Sequence, residues 1–236
     1  MGQVPQENQG DLADCLIERL INTAMTQDAS SSAAREQILD AAEALFARQG
    51  FDPTTIKEIG AAARLNPALL YYYFGNKEEL YKAVLQRLIT GLAFRGTQVL
   101  ETAAAPADAI RALVATQVEF LLGHSNLPRL FVREMIDHDA RHAEAVILQL
   151  AAGLFQRLCD VIERGQREGV FRADVEPRYA AVSTISQVVY FMIARPAIAI
   201  FLQLGPSGVS DETARAFGRH AGDFAVHALS PVEKPA

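Results

Sequence analysis

Apolar side chains recur along this chain at spacings of three and four, not two, almost from end to end. From Arg35 to Gln49 they fall at Ile38, Ala41, Ala42, Leu45 and Phe46, the stripe of an amphipathic helix, and Gly50 supplies the stop. Thr55-Ile56-Lys57-Glu58 has the form of a capping box. It opens a helix to about Ala63, with Ile56, Ile59 and Ala63 inward. A third, short helix has Asn66 as N-cap and Pro67 in its first turn, and ends near Phe74-Gly75. Asn66, Leu70 and Phe74, four apart, face the core, which turns Ala68, Leu69, Tyr71 and Tyr72 to solvent. Asn76-Lys77-Glu78-Glu79 caps a long helix running to about Ala104. Beyond Pro106 the same period predicts helices at 107–123, 127–137, 142–168, 177–204 and 211–229. No stretch shows sustained alternation, so the expected fold is all-α, with about nine or ten helices.

This pattern divides the chain. Residues 1–34 read as an extension, with a short amphipathic helix at 11–25 (Leu12, Cys15, Leu16, Leu20 and Ile21 on one face) and linkers at 1–10 and 26–34. Residues 35–82 form a first domain, 83–229 a second helical domain and 230–236 a tail. Cys15 and Cys159 have no partner at metal or redox spacing, which suits a reduced, cytoplasmic protein. Met1 to Gly10 is polar and carries no secretory signal. The most apolar stretch, Tyr179 to Leu204, is interrupted by Gln187, Arg195 and Pro196. It falls short of the roughly 20 apolar residues of a membrane span, and no membrane partner is expected.

An eight- or nine-residue helix, a three-residue turn and another short helix make helix-turn-helix geometry at about 55–74. Exposed aromatic rings on a short helix are costly unless something covers them. Tyr71 and Tyr72 present apolar rings and hydroxyls suited to thymine methyls, base edges and phosphates. Tyr73 lies on the core flank and can equally pack inside. Lys57, Arg64 and Lys77 surround this face and are placed to neutralise phosphates, and Thr55 with the helix N-terminus to take another. Charge adds little. The net charge is −6, and residues 35–82 hold six basic and seven acidic side chains. Geometry carries the reading.

The runs Ile38-Leu-Asp-Ala-Ala-Glu-Ala-Leu-Phe46, Gly50-Phe51, Thr54-Thr-Ile-Lys-Glu-Ile59, Pro67-Ala-Leu-Leu-Tyr-Tyr-Tyr-Phe74 and Asn76-Lys-Glu-Glu-Leu80 resemble the N-terminal domain of the TetR/AcrR family across about 35–82. The resemblance implies an all-helical homodimer with a DNA-binding head and a C-terminal domain that binds a small inducer. It places Pro67, Ala68 and Leu69 at base edges, Tyr71, Tyr72, Tyr73 and Lys77 on phosphates or bases, and Thr55 and Lys57 as anchors. Asn66 stands where the family's cap is often serine. Arg64 stands in the turn where the family usually has glycine, and a non-glycine residue there costs about 1 kcal/mol if its φ is positive.

Past residue 83 no sharp motif appears. By the resemblance, the helices at 177–204 and 211–229 pair with their twofold mates, through Ala180, Ser183, Ser186 and Gln187 on one and Phe217, His220, Phe224 and His227 on the other. A ligand cavity is expected among 107–168, lined by Phe120, Leu121, Phe131, Met135, Leu150, Leu154 and Phe155, with Met192, for a small, largely apolar inducer. His124, Arg133 and Glu134 offer polar anchors, though each of these residues also suits an ordinary core. His138 and His142 stand four apart, but a helix boundary near Asp139 would separate them, and no metal or other cofactor is expected. There is no Ser/His/Asp or Cys/His set, phosphate loop or facing carboxylate pair, so no enzyme is read here. The expectation is a dimeric repressor released from a near-palindromic double-stranded operator by an inducer. The alternative is a DNA-binding regulator or activator with no ligand.

Overall fold

In a computed structural model describing residues 31–231, every regular element is helical, and no strand occurs among these residues. Helix α1 is already helical at residue 31 and runs to 49. It is followed by α2 (Ile56–Ala63), α3 (Pro67–Phe74), α4 (Lys77–Thr102), α5 (Pro106–Gly123) and α6 (Leu127–His138). Then come α7 (Glu144–Leu150), α8 (Gln156–Arg167), α9 (Pro177–Ile193), α10 (Arg195–Phe201) and α11 (Asp211–Leu229). The expected helix at 11–25 with Cys15, the linkers at 1–10 and 26–30, and the tail from 232 on lie outside the described residues. Residues 31–34, read as linker, belong to α1.

The first three helices and the start of α4 form a head. Its caps are local: Thr55, Asn66 and Asn76 accept the amides of Glu58, Ala68 and Glu79 at 3.2, 2.9 and 2.9 Å. Ile38, Leu39, Ala42 and Phe46 of α1 bury against Ile59, Leu70, Phe74, Leu80 and Tyr81. The same apolar cluster runs on through Val114, Leu121, Leu130, Val188 and Met192 of the body. A second cluster, with Ile110, Leu113, Leu158, Ile162, Phe171 and Leu229, fills the far end. Helix α4, about 39 Å long at 1.5 Å per residue, serves both. Near its start the Arg87 guanidinium reaches Glu36, Asp40 and Glu43 of α1 at 3.1, 2.8 and 2.7 Å and pins α1 to it.

Two of the expected helices are not continuous. The run at 142–168 starts at Glu144 and carries a π-helical turn at Ala151–Phe155, a local re-aiming of side chains. By length and composition Glu144–Arg167 could cross a membrane, but Leu154, Leu158, Val161 and Ile162 are buried in the protein core. The run at 177–204 bends by 86° between α9 and α10. Pro196 explains the bend: it has no amide to donate, and its ring would meet the carbonyl four residues back.

The helix-turn-helix is held by a close approach at Gly60, which is buried in α2. A Cβ there would stand 3.1 Å from the Leu65 carbonyl oxygen and from Cγ of Pro67. Gly60→Val is therefore expected to force α3 away from α2 and destabilise the protein by about 1–3 kcal/mol, seen as a lowered thermal midpoint. An unchanged midpoint would mean that the two helices are not in close contact.

Candidate nucleic-acid interface

Helix α3 is the exposed part of the head. Its inner side is Leu70 and Phe74, both buried, and its outer side carries Tyr71 and Tyr72 at 56% and 78% exposure. Ala68 is exposed beside them, while Leu69 is half-buried against the core and not turned wholly to solvent. Asn66 is exposed, not in the core as its spacing implied, because its side chain folds back to cap Ala68. Pro67 occupies the first turn. Tyr73 is half-buried; its ring stands 5.0 Å from that of Tyr72, and its hydroxyl meets Ser31 Oγ at 3.1 Å. That bond ties α3 to α1.

Lys57 and Arg64 are exposed and form no ion pair among the described residues. Arg64 has φ 56° and ψ 35°, the left-handed conformation of a helix stop, and its amide returns to Ala61 at 3.2 Å. The turn is thus built as the sequence requires, with the strain that a side chain adds. Thr55 completes the capping box: its amide and hydroxyl both donate to Glu58 Oε2 at 2.9 Å. These bonds, the amide first, hold the Glu58 carboxyl below the usual range. The Thr55 hydroxyl is spent on positioning α2, while Lys57 in the first turn of that helix stays exposed.

Lys77 makes bonds that its position at a helix start does not foretell. Its ammonium is turned inward, donating to the carbonyls of Phe51, Asp52 and Thr54 at 3.1, 3.2 and 3.1 Å and lying 4.3 Å from the centre of the Phe51 ring. All three of its donors are used. Lys77 thus braces the segment between α1 and α2 while remaining partly exposed, a placement with no signature in local spacing.

That lock is continued by the body. Phe51 lies 5.0 Å from the ring of His142 and 5.7 Å from that of His138. The turn after α6 does not separate the two histidines as expected. Asp139 and Ala140, at φ 50° and 63°, fold the chain back so that Glu134, His138 and His142 bring their ligand-type atoms within 4.8 Å. The Glu134 carboxylate is fully buried and held by the His142 amide at 2.7 Å and by His142 Nδ1 at 3.2 Å. Arg141 Nη2 stands 3.5 Å from the other ring nitrogen. Burial, with the Glu134 charge nearby, pushes the Tyr81 hydroxyl above its ordinary range, so it stays a donor. The cluster is a joint between head and body.

The residues expected around one cavity are divided. Leu121, Arg133 and Met192 border a cleft of about 660 Å³ between the end of α1 and helices α5, α6 and α9. Leu154, with Leu150, borders a smaller one of about 240 Å³ between α4 and the π-helical turn. Phe120 is buried with its ring stacked at 4.0 Å on His124, and lines neither, nor do Phe131, Met135 and Phe155. Arg48, Arg129 and Arg195, absent from the sequence expectation, also border this cleft; their separation in sequence hides them from any local pattern.

Two substitutions test these roles. Lys77→Met should destabilise the protein by about 1–3 kcal/mol by stranding three carbonyls, while leaving the salt dependence of DNA binding unchanged. A salt slope reduced by about one ion would show that Lys77 leaves its cradle for a phosphate. Arg64→Gly should raise stability by about 0.5–1 kcal/mol through relief of the left-handed strain. A fall in thermal midpoint would deny that strain.

Residues 38–84 match the family described as bacterial regulatory proteins, tetR family, and residues 106–223 match the tetracyclin repressor-like C-terminal domain. The transcriptional repressor NicS of Pseudomonas putida is 28% identical over 184 residues, 77% of this chain and 85% of that protein. The repressor KstR2 of Rhodococcus jostii is 25% identical over 149 residues, 63% of this chain and 73% of its own length. A tetR-family regulatory protein from Rhodococcus RHA1 has the same fold, with a TM-score of 0.69 at 20% identity, covering 85% of this chain and 98% of that one. With the helix-turn-helix in place at one end and a matching helical domain over the rest, this chain belongs to the TetR family of DNA-binding transcriptional regulators.

Proposed function

We propose that the protein is a dimeric repressor that a small-molecule inducer releases from a near-palindromic operator. The observation that carries the DNA-binding part is the pair of exposed tyrosines on α3, flanked by the unpaired cations Lys57 and Arg64. A short helix with this outer face fits a major groove, where rings meet thymine methyls and hydroxyls meet base edges or phosphates. Pro67, Ala68 and Leu69 at the N-terminal end of α3 are the residues closest to base edges in this reading. The relatives named as repressors support the sign of the regulation. Acting on DNA, the protein works in the cytoplasm.

Exposed apolar surface supports the dimer. Of the 14 large hydrophobic side chains exposed among the described residues, eight lie on α9, α10, the residue after it, and α11. Tyr179, Val182, Tyr190 and Ile193 form one stripe on α9, beside Ser183 and Ser186, and Phe224 stands on α11 with His220 and His227 exposed along the same helix. Phe217, expected in this face, instead stacks at 4.0 Å on Phe191 inside the protomer. A twofold partner covering these stripes would fix the two heads about 34–36 Å apart, one turn of DNA. The inducer is assigned to the 660 Å³ cleft at the junction of head and body, a volume within the usual range for ligand sites. A regulator with no ligand would have little reason to leave that junction open.

A gel shift with the DNA upstream of its own coding sequence tests the reading, which fails if no fragment binds better than competitor at moderate salt. Tyr72→Ala should then weaken binding to the specific fragment by roughly tenfold to a hundredfold without lowering the thermal midpoint. Unaltered affinity would remove Tyr72 from the interface.

A further inference from the structure

The cleft at the head–body junction has an electrostatic character that the chain as a whole lacks. The sequence holds 28 acidic and 22 basic side chains, for a net charge of −6. In those proportions, more than half of any charged lining should be acidic. Four arginines border this cleft, Arg48, Arg129, Arg133 and Arg195, and no aspartate or glutamate does.

Two of the four are partly occupied. Arg195 Nη2 donates to the Val209 carbonyl and lies 3.8 Å from Asp211, and Arg133 Nη2 makes a long contact of 3.5 Å with the Arg48 carbonyl. The other two are free: among the described residues, neither the Arg48 nor the Arg129 side chain forms an ion pair or hydrogen bond. They come from opposite sides of the junction, Arg48 from α1 of the head and Arg129 from the first turn of α6 in the body. The rest of the lining is largely apolar, with Leu121, Val132, Met192, Ile193 and the rings of Pro128 and Pro196, beside the polar Ser125 and Asn126. Guanidinium groups stay charged at any physiological pH, and gathering several without carboxylates is unfavourable until an anion shares them.

We infer that this cleft takes an amphipathic anion, its carboxylate, sulfonate or phosphate group held between guanidinium groups of head and body and its apolar part laid on the surface between. The inference names the ligand class of the inducer cleft proposed above and rests on that reading, replacing the largely apolar ligand expected from the sequence. It also supplies a mechanism. An anion bridging Arg48 and Arg129 binds one angle of the head better than others, and that difference in affinity is what shifts the population of DNA-competent dimers.

The test uses two fluorescent probes that differ in one charged group: 1-anilinonaphthalene-8-sulfonate and the uncharged N-phenyl-1-naphthylamine. Titrated into the full-length protein at low salt, the sulfonate is expected to bind at least about tenfold more tightly than its neutral counterpart, and to weaken as salt is added. The double variant Arg48→Gln/Arg129→Gln should erase that preference while leaving the neutral probe's affinity unchanged. Arg48→Lys/Arg129→Lys, which keeps the charge, should restore part of it. Equal binding of both probes by the wild type would overturn the inference, as would a sulfonate preference that survives the glutamine pair. The gel shift separates the two readings. Arginine-dependent sulfonate binding by a protein that shifts no DNA keeps the anion site and loses the repressor. Operator binding by a protein that prefers the neutral probe does the reverse.

Discussion

A carboxylate with no solvent exposure, Glu134, sits where the body meets the head, and the geometry of that junction follows from the need to satisfy it. Removing the partners of a buried charge costs several kcal/mol. The chain supplies them by folding back after α6 until the His142 amide and ring both reach the carboxylate. Two successive non-glycine residues, Asp139 and Ala140, take left-handed backbone to make this turn, at a cost of about 1–2 kcal/mol each. With His142 held, its ring packs on Phe51 and Tyr81. Phe51 in turn seats the Lys77 ammonium, which gathers the carbonyls between α1 and α2. A line of contacts thus runs from a body carboxylate to the segment that presents the helix-turn-helix.

This arrangement makes the head and body mechanically continuous. They share one apolar cluster and one long helix, and α1 is held to that helix by Arg87. A ligand entering the junction cannot be accommodated by the body alone, because Ala47 and Arg48 of α1 form part of its wall. Between that cleft and the tyrosines of α3 stand helices α1 and α2, which bury Ile38, Phe46 and Ile59 completely.

Much of this was legible in the residues. The caps at Thr55, Asn66 and Asn76 are short-range hydrogen bonds between groups two or three residues apart, so their chemistry is complete within a few residues of sequence. The inward Leu70 and Phe74 and the outward Tyr71 and Tyr72 follow from helical period alone. Arg64 stands out because the family it resembles usually has glycine in that turn, and its φ is indeed positive. Where local reasoning failed, a distant partner intervened. Lys77 looked like a surface cation at a helix start until Phe51 and its neighbours, more than 20 residues earlier, claimed its protons. Tyr73, which its spacing allows either to pack or to point outward, is half-buried with its hydroxyl on Ser31, a contact 42 residues away in sequence.

The sequence by itself determined the helices, their caps, the outward face of α3 and the resemblance to the family, because each depends on residue types at short, fixed spacings along the chain. Only the tertiary structure decided what the junction does. It set the bend at Pro196 to 86°, brought Glu134, His138 and His142 together across a turn expected to part them, and divided the expected cavity into two clefts. It also assembled four arginines from three separate regions around one cleft. Periodicity cannot report that gathering, since it comes from packing between helices far apart in the chain. The helix-turn-helix could be read in advance because its chemistry is local; the arginine-lined cleft could not, because it is made only where head and body meet.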